Sequence, residues 1–191
     1  MKQLILASQS PSRKQLLEFA GVEFTVEPSN YEEDMSLEMT PAELAKYLSA
    51  GKARDVAAHR KNAVILGADS FAVYEGELLG KPHTFERAKE VLTMLSGKSH
   101  DFLTGFTIID ADTGEEYSEV VKTKVYFKTL TSDEIDNYLA KEDVRKNAGS
   151  YRSQELGSVL VEKMEGSATN IVGLPMSQVA TALKKFGIIF I

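Results

Sequence analysis

A chain of 191 residues is long enough to bury one substantial core, and 43% hydrophobic with 26% charged residues is the balance of an ordinary soluble globular protein. A net charge of −6 argues against sequence-independent binding to DNA or RNA, and the absence of cysteine removes disulfides and thiolate metal sites. The apolar start ending at Ala7 is too short for a signal peptide and no later run could span a bilayer, so a cytoplasmic protein without membrane contact is expected.

There is no repeat, low-complexity tract or flexible linker. Gln3 to Ala7 reads as a short buried strand. Ser10-Pro11 is a helix-start signal, with Ser as the cap and Pro at the first helical position. Leu16, Leu17 and Ala20 give that helix its apolar stripe, and Gly21 stops it. Phe24 and Val26 alternate with polar residues, as in a second strand. Pro41 to Ala58 is expected to be helical but broken at Gly51. Ala63 to Leu66 and Phe71 to Tyr74 are two separate apolar runs, the first a central strand and the second leading into a turn at Glu75-Gly76-Glu77. Ala88, Val91, Leu92 and Leu95 recur at helical spacing after Thr84. Phe102 to Ile109 and Val121 to Phe127 flank Asp112-Thr113-Gly114 as a hairpin. Thr131 with Glu134 is a capping box opening a helix to Ala140. Val159 to Val161 reads as a strand and Pro175 to Phe186 as the last helix. Such mixing predicts an α/β fold with a mixed rather than purely parallel sheet.

Four segments carry residues suited to phosphate chemistry. In Ser8-Gln9-Ser10-Pro11-Ser12-Arg13 a strand meets a helix N-terminus, whose free amides and dipole favour an anion. Arg13 in the first turn is disfavoured by the same dipole unless an anion binds there; read alone, the segment is more simply a capped helix with an exposed arginine. Asp69, in Gly67-Ala68-Asp69-Ser70, is flanked by apolar stretches and should be partly buried, where a carboxylate needs cations, a metal or several hydrogen bonds. It suits a Mg²⁺ ligand or an acceptor of a proton from water, and equally a carboxylate satisfied by turn amides. Lys52 and Lys81 sit among small residues, in Gly51-Lys52-Ala53 and Gly80-Lys81-Pro82, though neither sequence is a P-loop. Gly149 to Gln154, Glu165-Gly166-Ser167 and Asn170 to Pro175 read as loops, in which Gln154 offers both a donor and an acceptor. His59, His83 and His100 have no metal-ligand spacing, and Glu32-Glu33-Asp34 reads by itself as a solvated loop.

Taken in order, these segments resemble the Maf family. Leu6-Ala7-Ser8-x-Ser10-Pro11-x-Arg13-x-x-Leu16-Leu17 is similar to its opening motif, and Gly67-Ala68-Asp69-Ser70 leading to Gly76-Glu77-x-Leu79-Gly80-Lys81-Pro82 to its central one. Thr104-Gly105, Ala148-Gly149-x-Tyr151, Gln154, Glu165-Gly166-Ser167 and Val172-Gly173-Leu174-Pro175 follow in the family's order, so one domain over residues 1–191 is implied. The resemblance implies a mixed twisted sheet with flanking helices and two lobes around a deep cleft, as in Maf and ITPase-like proteins, often as a homodimer. It implies hydrolysis of a nucleoside triphosphate to monophosphate and pyrophosphate with a divalent metal, Mg²⁺ or Mn²⁺. By position Asp69 would be the catalytic acid/base and, with Glu33, a metal neighbour. Arg13, Lys52 and Lys81 would hold the triphosphate, with Ser8, Ser10, Ser70 and Gln154 also on the substrate. The dTTP/UTP branch usually has Arg, and the 7-methyl-GTP branch Trp, where this chain has Ser12; Gln154 fits the first branch and its surroundings the second. Glu155 and Asn147 also depart from the family's usual Gly and the pyrimidine branch's Lys. Absence of Trp at 12 favours pyrimidine triphosphates. A nucleotide-binding regulator of cell division, or a nucleotidyltransferase, are the alternative readings.

Overall fold

The computed structural model describes residues 2–190. Strands β1 (Gln3–Leu6), β2 (Phe24–Val26), β3 (Ala63–Tyr74), β4 (Glu77–Leu79), β5 (Ser99–Asp110), β6 (Glu116–Phe127) and β7 (Val161–Glu165) form one sheet. Their order is β2-β1-β3-β5-β6-β7, with β4 paired to the end of β3. β1 runs parallel to both β2 and β3, and the other pairs are antiparallel, so the sheet is mixed as expected.

Helices α1 (Pro11–Phe19), α2 (Pro41–Ala57), α3 (Phe85–Leu95), α4 (Ser132–Leu139), α5 (Ala168–Val172) and α6 (Met176–Lys185) flank it. The caps read at Ser10 and Thr131 form as expected, each accepting the amide three residues on, with Thr131 in a full capping box with Glu134. The structure adds two more of the same kind, Thr40, boxed with Glu43, and Thr84. The strand expected at Val159–Val161 instead begins at Val161, because Glu155–Leu160 closes into a short 3₁₀ segment. The stretch after Glu165, read as loop, contains α5.

Alternation along β3 sorts its side chains onto two faces. Ala63, Ile65, Phe71 and Val73 face α2, which supplies Leu44, Ala45, Leu48, Ala53 and Val56. Val64, Leu66 and Ala68 face a cluster with α1 and α6, through Leu16, Leu17, Val179 and Leu183. Farther along that second face, Ala72 joins a separate cluster with α3 and α4, through Val91, Leu95, Ile135 and Tyr138. The three 12-residue strands run through both clusters.

Two expected boundaries are wrong, for one reason. Gly51 does not break α2, and Gly67 to Ser70 is not a turn but the middle of β3. Both glycines make room for close packing. A Cβ on Gly67 would lie 2.5 Å from the Ser49 carbonyl oxygen, and one on Gly105 would lie 2.3 Å from that of Ala45. The α2 backbone therefore rests directly on β3 and β5, with Ser49 Oγ bonded to Thr107 Oγ1 at 2.9 Å. A Cβ on Gly51 would fall 2.4 Å from the Tyr31 ring, which packs against that position from the β2–α2 loop.

Candidate active site

β1 stops at Leu6, where its pairing with Leu66 ends, while β4 engages β3 only from Ala72 onward. Between them, Gly67 to Phe71 are paired to β5 alone. This leaves a notch in one edge of β3, at the carboxyl end of β1. The chain leaves β1 through α1 on one face and reaches β3 through α2 on the other. That is the topological switch point at which open α/β sheets bind ligands.

Alternation sends Asp69 toward the α2 face and Ser70 toward the α1 face, so the notch is supplied from both sides. Asp69 is 7% exposed. Its Oδ1 accepts from Lys52 Nζ at 2.5 Å, and its Oδ2 is buried with no partner. Lys52, in the middle of unbroken α2 rather than in a turn, also pairs with Glu33 at 2.7 Å. Glu33 is thus drawn out of the charge run read as solvated loop. Its loop is fixed to α2 by Asp55, which accepts from Ser29 Oγ (2.9 Å) and Asn30 N (2.8 Å). Burial works against the Glu33 charge, but the Lys52 hydrogen bond and the charges of Lys52, Lys81 and Arg13 outweigh it and hold the carboxyl below the ordinary glutamate value.

From the other face, the Arg13 guanidinium donates three ways: Nε to the Gly173 carbonyl (2.9 Å), Nη1 to Ser8 Oγ (3.2 Å) and Nη2 to Ser70 Oγ (3.0 Å). Burial pulls its pKa down while the charges of Asp69 and Glu33 push it back, and an arginine stays cationic throughout. Ser8 Oγ also accepts from Ser10 N at 3.2 Å, tying the β1–α1 turn to the same group. Ser10 Oγ is spent on the Arg13 amide as the α1 cap. Lys81 is exposed just after β4, and its charge is felt at Glu33.

The structure thus brings Ser8, Ser10, Arg13, Glu33, Lys52, Asp69 and Ser70 around one notch, while Lys81 is exposed and makes no hydrogen bond or ion pair with them. Gln154 stands apart: it is half-buried ahead of the 3₁₀ segment and makes no hydrogen bond to this group. Its loop reaches the same face of β3 at Gly149, where a Cβ would lie 3.0 Å from that of Ala72. Sequence reading missed the Gly173 carbonyl, whose backbone role leaves no residue signature, and Asp55, an acidic residue on a helix otherwise read for its lysine. Among the described residues no three His, Cys, Asp or Glu side chains gather as a metal cluster, and no helix is long and apolar enough to cross a membrane.

A family model described as Maf-like protein matches residues 3–186. The chain belongs to the Maf-like family. A dTTP/UTP pyrophosphatase of Methanosarcina mazei is 40% identical over 189 residues, spanning 98% of this chain and 96% of that one. Proteins of the same name from Bacillus cereus and Bacillus pumilus are 42% and 40% identical over 188 residues, again spanning 98% of this chain and 92% and 98% of theirs. A solved structure of a HAM1 protein from Coxiella burnetii aligns over 97% of this chain and all of its own with a TM-score of 0.49 and 17% identity.

Proposed function

We propose that this member of the Maf-like family hydrolyses dTTP and UTP to the monophosphate and pyrophosphate in the cytoplasm. The observation that carries the reading is the notch itself, where Lys52 pairs with the carboxylates of Glu33 and Asp69 and the charges of Arg13 and Lys81 act on the same group. Those three cations exceed the two carboxylates by one positive charge. A triphosphate and a divalent metal, bringing about four negative and two positive charges, leave such a site close to neutral. The base preference is supported by the names of the relatives and by Ser12 in place of a stacking tryptophan.

A divalent cation fits the donors present. Asp69 Oδ2 is an orphaned buried oxygen, and Glu33 offers a second hard oxygen ligand. Two carboxylates completed by phosphate oxygens are the habit of Mg²⁺. Glu33 and Asp69 would hold it, and when bound it would neutralise phosphate charge. Arg13 and Lys81 hold the phosphate chain, and Lys52 fixes Asp69 by its Oδ1. Asp69 then orients a water and takes its proton as the water oxygen bonds to the α-phosphorus. The bond from the α-phosphorus to the bridging oxygen breaks, and pyrophosphate leaves with the electron pair.

A panel of nucleoside triphosphates, incubated with the pure protein and Mg²⁺ or Mn²⁺, should yield pyrophosphate, fastest from dTTP and UTP. Orthophosphate as the first product would refute the reaction.

A further inference from the structure

A polar row crosses the apolar face between the two core clusters. Ala68, Phe106 and Val121 lie on one side of it, and Ala72, Phe102 and Val125 on the other. The row is Ser70 on β3, Thr104 on β5 and Thr123 on β6, with Asn170 of α5 lying across them. Thr104 and Asn170 are fully buried. Valine would fill the place of Thr104 at no desolvation cost, so its hydroxyl calls for an account.

The direction of the hydrogen bonds supplies one. The Asn170 carbonyl oxygen can only accept, so the Thr104 hydroxyl donates to it, at 3.0 Å. Thr104 Oγ1 is then left to accept, and at 2.9 Å it takes the hydrogen of Ser70. Ser70 Oγ, its hydrogen spent, accepts from Arg13 Nη2 at 3.0 Å. The chain is polarised from end to end, from guanidinium to backbone carbonyl. Its far anchor is firm, because the Asn170 side chain donates from Nδ2 to the backbone carbonyls of Phe102 and Val121 on adjacent strands. Helix α5 also ends at Gly173, whose carbonyl takes Arg13 Nε. One short helix therefore fixes the arginine directly at Nε and through two hydroxyls at Nη2. With Nη1 on Ser8 Oγ, three of the five guanidinium hydrogens are used, and two remain for a ligand.

We propose that Thr104 is a positioning residue for Arg13, acting through Ser70 and touching no substrate. Its hydroxyl turns the Ser70 lone pairs toward the guanidinium and holds the plane in which Arg13 meets phosphate. This rests on reading Arg13 as a phosphate ligand.

The test is a double-mutant cycle of Thr104→Val and Ser70→Ala, read as KM and kcat for dTTP and as the calorimetric Kd of inorganic pyrophosphate. Thr104→Val should raise KM and Kd about tenfold, with kcat changed less than about threefold and Thr104→Ser restoring both. In the Ser70→Ala background the second substitution should add less than about twofold, because the link is already cut. Unchanged KM and Kd in Thr104→Val, or effects that multiply in the double variant, would overturn the proposal alone. A wild type that neither turns over dTTP nor binds pyrophosphate would remove the functional reading and the proposal with it. Should Thr104→Val not fold, Thr104→Cys, similar in size with a weaker hydrogen-bonding group, goes through the same cycle with the same outcomes.

Discussion

Lys52 bonds two carboxylates at once, Asp69 at 2.5 Å and Glu33 at 2.7 Å, and this decides what removal of either one should do. Breaking a buried pair is normally costly because it strands the surviving charge. In Asp69→Asn the ammonium keeps Glu33, so the fold should survive while the proton acceptor is lost. Turnover should drop by a factor of about 10² to 10⁴ with the thermal midpoint little changed; a variant retaining near-normal turnover would remove Asp69 from the chemistry. Glu33 adds a pH signature. Its carboxyl is held below the ordinary value, so its share of stability is present above that value and is lost as pH falls through the lowered one. At this scale Arg13 and Asp69 are legible in the sequence, because each breaks a local rule, a cation at a helix start and a carboxylate inside an apolar run, whereas Lys52, Lys81 and Glu33 break none and enter only through the family resemblance. The pairings are not legible, since Gly173 acts through its backbone and Glu33 pairs across a gap that no sequence spacing encodes.

Glycine is where the reading of elements failed. In a sequence it signals a break, which predicts a division of α2 at Gly51 and an interruption of β3 at Gly67. In the folded chain both positions are made small by close neighbours. The same packing supplies a prediction in which two effects oppose. Alanine at position 51 favours helix over glycine by about 1 kcal/mol. Its Cβ would also strike the Tyr31 ring and displace the loop that carries Glu33. Gly51→Ala should therefore keep or raise α-helical content in circular dichroism while lowering kcat/KM by about tenfold to a hundredfold. Full activity would show that the position of this loop does not matter. The helix opened by Thr131 and Glu134 and the β5–β6 hairpin follow from local signals: a hydroxyl three residues before a glutamate, and a polar turn between alternating runs.

At the scale of the whole molecule, the mixed α/β class followed from the interleaving of helical and strand patterns, but the notch did not. It arises because β3 outruns β1 before β4 begins, a matter of pairing register that no single segment contains. The global fold has a pH dependence of its own. His100 is 2% exposed, with Nε2 bonded to the Tyr151 hydroxyl at 2.9 Å, and burial lowers its pKa to about 4. Between about pH 6.5 and 4 the unfolded chain binds a proton that the folded chain refuses. Stability should then decline as pH falls, by up to about 1.4 kcal/mol per pH unit from this group, with the decline weakened in His100→Phe; denaturant melts across that range measure it, and a flat profile would contradict a neutral buried imidazole. The claim on which the functional account turns is that water, directed from Asp69, attacks the α-phosphorus. Hydrolysis of dTTP in ¹⁸O-labelled water, followed by mass analysis of both products, tests it directly. The account predicts the label in the monophosphate and none in pyrophosphate; label in the pyrophosphate would place the attack on the β-phosphorus and contradict it.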